Sequence, residues 1–233
     1  MYNRGAFLRK RLKIVHPSKN TRFARRSRPF SLLTWLVASS FAVGSAGLQA
    51  QEGSPEAGQQ KSITCAACHG TDGNSVTPDW PSLAGQHADY TARQLQAYKA
   101  GERMDAGMRG FASTLSDQDM HDIAAYFADQ SMAVKGADPA LVGRGQRIYR
   151  GGIPERGIAA CIACHGPTGM GNPLSGYPRI SHQHAPYLAK TLREYQAGDR
   201  RSDATLNQMM RNVAELLLDD EIDALASYMQ GLN

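Results

Sequence analysis

The stretch CAACHG, Cys65–Gly70, is answered by CIACHG, Cys161–Gly166, and these two hexapeptides hold all four cysteines of the chain. The repetition spreads outward from them. QHADYTARQLQAYKAGER, starting at Gln86, returns 97 residues on as QHAPYLAKTLREYQAGDR, starting at Gln183. TLSDQDMHDIAAYFADQ, from Thr114, returns 102 residues on as LLLDDEIDALASYMQGL, from Leu216, while the hexapeptides lie 96 residues apart. A sustained period marks a duplicated structural unit, and the drift in offset places small insertions in the second copy. The joint falls in SMAVKGADPA, residues 131–140, where Gly136 and Pro139 break helices. Two homologous domains are therefore expected, residues 51–135 and residues 136–233.

Each copy reads as helices and loops, so the fold class is all-α. Met120, Ile123, Ala124 and Phe127 recur at helical spacing, as do Ile222, Leu225, Ala226 and Met229. Ser116 with Asp119 forms a capping-box pattern ahead of the first of these helices. A middle helix is expected from about His87 to Ala100 and its twin from about His184 to Ala197, with Gly101 and Gly198 as stops. A further helix precedes each cysteine pair, more clearly in the second copy around LVGRGQRIYRGG. The long Gly- and Pro-containing loops leave too little apolar side chain for domains this small, so something else must complete each core.

Residues 1–50 carry ten Lys or Arg and no acid, leaving sixteen basic against twenty-one acidic residues in the remainder. The net charge of +5 thus belongs to the leader, and nucleic-acid binding is not inferred from it. The leader has a basic stretch, an apolar run of 14 residues (Phe30–Val43) and small residues beyond it. That is the pattern of a secretory signal peptide cut after Ala46 or Ala50, an uncleaved anchor being the alternative. The run is short for a membrane span. Arg25-Arg26 hints at a twin-arginine signal, but the cysteine chemistry below calls for delivery of an unfolded chain.

Four chemistries compete for the cysteines. A disulfide inside C-x-x-C staples little and leaves the histidine unexplained. A zinc site needs four ligands drawn from two distant repeats. A thioredoxin-like motif requires a βαβ context absent here. Covalent haem c attachment uses every residue of C-x-x-C-H: two thiols three positions apart reach the two vinyl groups of one porphyrin, and the next residue sets an imidazole under the iron. Two haems follow, on Cys65 and Cys68 with His69, and on Cys161 and Cys164 with His165. They also supply the missing core.

A carrier iron is closed on its second face, and methionine there raises the reduction potential. Met108 lies seven residues before Leu115 and Met210 seven before Leu217, so the repeat selects this pair among nine methionines. Met104 and Met209 align with Leu206 and Gly107, Met170 has no twin, and a methionine is by default a core filler. The histidine twins His87 and His184 compete as ligands, but they stand at helix starts close to the haem motifs, where a surface or helix-start role is the simpler reading. His121 and His182 have no twin and read as surface residues.

With both C-x-x-C-H-G motifs, PSLAGQHADYTARQLQAYKAGER, LSDQD…IAAYFA and the closing ALASYMQGL in view, the sequence resembles the dihaem cytochrome c4 family of class I c-type cytochromes over residues 56–233. The second copy departs from LAGQ with ISHQ. The resemblance implies two tandem cytochrome c folds joined by a short linker, propionate edges near the domain interface, and attachment at Cys65, Cys68, Cys161 and Cys164. It implies His69 and His165 as proximal and Met108 and Met210 as distal iron ligands. It implies that Pro81 and Pro178 offer carbonyls to the histidine Nδ1–H groups. Arg103 and Arg200, both after Ala-Gly, read either as propionate partners or as solvated helix ends.

The function implied is electron transfer, not enzymatic catalysis. The resemblance suggests a single-chain periplasmic carrier, free or held at the membrane surface, between a cytochrome bc complex and a haem–copper terminal oxidase. Residues 51–135 hold six basic and eleven acidic residues, and residues 136–233 hold ten of each, so the two domains present different faces to protein partners. The rival readings are a dihaem peroxidase, a sulfur-compound dehydrogenase, or an electron-delivery subunit of such an enzyme. An enzyme requires an open iron site and acid–base groups, and no twinless Cys, Glu or His near either motif announces them.

Overall fold

A computed structural model describes residues 52–233, and the expected export signal over residues 1–50 lies outside them. The described residues contain helices and three isolated antiparallel bridges but no strand. The first repeat comprises α1 (Pro55–Lys61), α2 (Ile63–His69), α3 (Ala88–Ala100), α4 (Ala106–Ser113) and α5 (Asp117–Ala128). The second comprises α6 (Pro139–Gly151), α7 (Ile162–His165), α8 (Ala185–Ala197), α9 (Met209–Ala214) and α10 (Asp219–Gln230).

The last helix of each repeat is its keel. α5 packs against α1 and α3, and α10 packs against α6 and α8. The periodic residues face inward as their spacing requires: Met120, Ile123, Ala124 and Phe127 are buried, and so are Ile222, Leu225, Ala226 and Met229. Ser116 and Asp119 form the expected capping box. α3 and α8 stop at Gly101 and Gly198, each in the left-handed region. The first and last helices of a repeat cross so closely that only glycine fits. A Cβ on Gly58 would stand 1.9 Å from the Asp122 carbonyl oxygen, and one on Gly145 would stand 2.1 Å from that of Ala224.

The linker, residues 131–138, has no regular structure and is tied down on both sides. Asn74 accepts from Ala133 N–H at 2.8 Å and donates to the Ser131 carbonyl at 3.0 Å. In the second repeat, Asp138 N–H donates to Ser227 Oγ at 2.9 Å and Gln230 donates to the Gly136 carbonyl at 2.7 Å. The short Met108- and Met210-bearing helices α4 and α9 fall where the sequence shows only loop-like patterning.

Candidate haem sites and their shared interface

α2 and α7 each end on the histidine of the motif, which brings both thiols and the imidazole onto one short helical turn. His69 and His165 are buried. The Pro81 carbonyl accepts from His69 Nδ1 at 2.8 Å, and the Pro178 carbonyl accepts from His165 Nδ1 at 3.0 Å. These bonds fix both ring orientations and leave Nε2 unprotonated and available. Burial pushes both imidazoles towards the neutral form, with the proline carbonyls opposing. The four cysteines form no disulfide with one another, which leaves both pairs for attachment.

One continuous cavity, 2630 Å³ counting its open mouths, holds both motifs. Cys65, Cys68 and His69 line it in the first repeat, and Cys161, Cys164 and His165 in the second. Met108 lines it in the first repeat, while Met104 is exposed and does not. In the second repeat both Met209 and Met210 line it. Tyr177 Oη donates to Met209 Sδ at 4.0 Å, and Met210 packs against the hydrophobic core.

The cavity runs through the interface between repeats, where an approximate two-fold arrangement of polar side chains lies buried. Arg103 is 5% exposed and Arg200 1%, so neither is a solvated helix end. Each donates to the other repeat's tyrosine: Arg103 to Tyr187 Oη at 2.8 Å and Arg200 to Tyr90 Oη at 2.7 Å. Gln94 Oε1 accepts from Arg103 at 3.2 Å and from Arg200 at 2.8 Å. Tyr98 and Tyr195 lie under the two guanidinium groups at 4.6 and 4.7 Å from the ring centroids.

No carboxylate of the described residues pairs with either arginine, and Arg200 Nη1 is buried without a partner. Burial alone raises a phenol, yet Arg103 and Arg200 bring Tyr187 down to about 8. Two buried cations lining a cavity call for anionic partners. The donor set fits haem: paired thiols, an oriented imidazole and methionine side chains line one largely apolar cavity, with two buried guanidinium groups on its wall.

The family model described as Cytochrome c matches residues 55–131 and 142–233. Cytochrome c4 of Stutzerimonas stutzeri is 44% identical over 207 residues, covering 85% of this chain and 98% of its own. The chain belongs to the cytochrome c4 family. A crystal structure of reduced recombinant cytochrome c4 from Pseudomonas stutzeri superposes with a TM-score of 0.75 at 46% identity, over 78% of this chain and all of that one. A thiosulfate dehydrogenase electron acceptor from Stutzerimonas stutzeri strain A1501 is 36% identical, covering 71% of this chain and 77% of its own. Membership makes the protein an all-α pair of cytochrome c domains carrying two covalently bound haem c groups, and an electron carrier for protein partners.

Three features of the chain are not legible in its sequence alone. His182 is buried at 7% exposure, not a surface residue. It holds φ +60° where its twin Gly85 holds +62°, so the change from LAGQ to ISHQ keeps the left-handed turn. His87 and His184 stand at the starts of α3 and α8 as expected, and their side chains, in place of capping the helices, reach across the interface: His87 Nε2 to the Met170 carbonyl and His184 Nε2 to the Ser75 carbonyl, both at 2.8 Å. Gln86 and Gln183 are buried and also reach across. The signal for them was their joint retention as Gln-His in both copies.

Proposed function

We propose that the protein is a periplasmic dihaem carrier taking electrons from a cytochrome bc complex to a terminal oxidase, with domains at residues 51–135 and 136–233. Cys65 and Cys68 would hold one haem and Cys161 and Cys164 the other, each through two thioethers. His69 and Met108 would close the first iron, and His165 and Met210 the second. Haem, when bound, would supply an iron that gains or loses a single electron. The protein's part is to hold those ligands still. Pro81 and Pro178 fix the imidazoles, the apolar walls exclude water, and Arg103 and Arg200 offset propionate charge between the repeats. The observation that carries this reading is the single cavity joining both C-x-x-C-H turns across buried guanidinium groups.

The basic leader and its apolar run support export, and no helix of the described residues is long and apolar enough to cross a membrane. A second reading follows from the similarity to the thiosulfate dehydrogenase electron acceptor: the donor is a sulfur-compound dehydrogenase in place of a bc complex. A coulometric titration of the purified full chain tests the carrier assignment. Two one-electron waves are expected, with no turnover of thiosulfate or peroxide by the protein alone. Steady turnover of either would replace the carrier with an enzyme. Reduction by thiosulfate only in the presence of its dehydrogenase would select the second donor.

A further inference from the structure

The interface glutamines carry an inference that rests on the dihaem reading above. Gln183 of the second repeat clasps one residue of the first. Its Oε1 accepts from Ser82 N–H at 2.9 Å, and its Nε2 donates to the Ser82 carbonyl at 2.8 Å. The Ser82 N–H belongs to the same peptide group as the Pro81 carbonyl, and that carbonyl accepts from His69 Nδ1 at 2.8 Å. A continuous hydrogen-bonded chain thus runs from the His69 ring through one peptide to a side chain of the other domain.

The mirror chain is also present. Gln86 Oε1 accepts from Arg179 N–H at 3.0 Å, and its Nε2 donates to the Arg179 carbonyl at 2.8 Å. The preceding Pro178 carbonyl accepts from His165 Nδ1 at 3.0 Å. Ser82, Gln86 and Gln183 are all buried, so water does not compete for these groups.

An amide whose N–H is engaged is more polarised, and its carbonyl becomes a stronger acceptor. A stronger acceptor on the imidazole Nδ1–H makes the ring a richer donor at Nε2. A richer donor favours Fe(III) over Fe(II) and lowers the reduction potential. We infer that Gln183 and Gln86 are positioning residues acting across the interface, each tuning the proximal histidine of the domain to which it does not belong. Each glutamine clasp then sets the potential of the haem in the opposite domain, and an event that breaks both clasps raises both.

The test uses the full-length protein carrying two haems, with potentials assigned to each haem by NMR during redox titration. Gln183→Met keeps the side chain's length but removes both hydrogen bonds to Ser82, together with the one its Oε1 accepts from His184 N–H. It is expected to raise the potential of the haem on Cys65 and Cys68 by about threefold in the reduced-to-oxidised ratio, which is about 28 mV at 59 mV per decade. The haem on Cys161 and Cys164 should not move. Gln86→Met should do the reverse, and it serves alone if the first variant does not fold.

In the reduced protein, the His69 Nδ1–H resonance should move upfield in Gln183→Met while that of His165 stays in place. His184→Leu is the control, because it loses the cross-domain bond to the Ser75 carbonyl without touching Ser82. It should leave both potentials unchanged. A shift of both haems together in the glutamine variants, a shift confined to the glutamine's own domain, or an unmoved His69 resonance overturns the inference. Fewer than two haems per chain in the unsubstituted protein would instead overturn the dihaem reading beneath it.

Discussion

Met209 and Met210 stand side by side on the cavity wall, and the choice between them is open to test one side chain at a time. The repeat count selects Met210, and Met209 has its own contact, the Tyr177 hydroxyl. Reduced Met210→Ala should bind carbon monoxide at the second haem, while Met209→Ala should keep the spectrum of the parent. Met108→Ala should open the first haem in the same assay, with the exposed Met104→Ala as its silent control. Carbon monoxide binding in Met209→Ala alone would exchange the two roles. At this scale the cysteines and histidines were legible because covalent and coordinate chemistry demands fixed spacing, while Pro81 and Pro178, 12 and 13 residues past their histidines, came from the family resemblance. The burial of Arg103, Arg200, Gln86 and Gln183 was not, because each is covered by side chains from the other repeat and no local pattern encodes that.

Helices are held by close crossings and by buried charge, and both have consequences. Gly145→Ala drives a Cβ into the Ala224 carbonyl where α6 crosses α10. It should destabilise the protein by about 1–3 kcal/mol in thermal melts. Gly151→Ala, with open space around the added carbon, should change little. In the first repeat Asp122 accepts from Lys61 Nζ at 2.5 Å and from Ser54 N–H at 2.9 Å. Lys61 holds the Asp122 carboxyl below its ordinary value and does the same for Asp119. A carboxylate with a depressed folded pKa stabilises the protein above its unfolded value, about 3.9, and that stability is lost as pH falls through the folded value. The melting temperature should therefore drop between pH 5 and pH 3, and Lys61→Met should show a smaller drop. An equal drop in the variant would show that this pair does not contribute to acid stability. Apolar periodicity made α5 and α10 legible, and the repeated middle segments with their glycine stops did the same for α3 and α8. The short α4 and α9 were not, since one or two turns carry no period, and in α4 the Asp105 side chain caps the Met108 amide.

Across the whole molecule, the duplicated sequence becomes two domains that share one cavity and one buried polar seam. Residues 51–135 carry the acidic excess while residues 136–233 are balanced, so a basic partner should approach the first domain, with an association rate that falls steeply as salt rises. A rate independent of ionic strength would remove steering from the mechanism. The proposed carrier role requires both irons to be closed by protein ligands. Carbon monoxide added to the fully reduced two-haem protein, followed by absorption spectroscopy, tests it most directly. The spectrum should stay unchanged at both haems. A prompt shift at either one would show an open or displaceable site and contradict the carrier assignment for that domain.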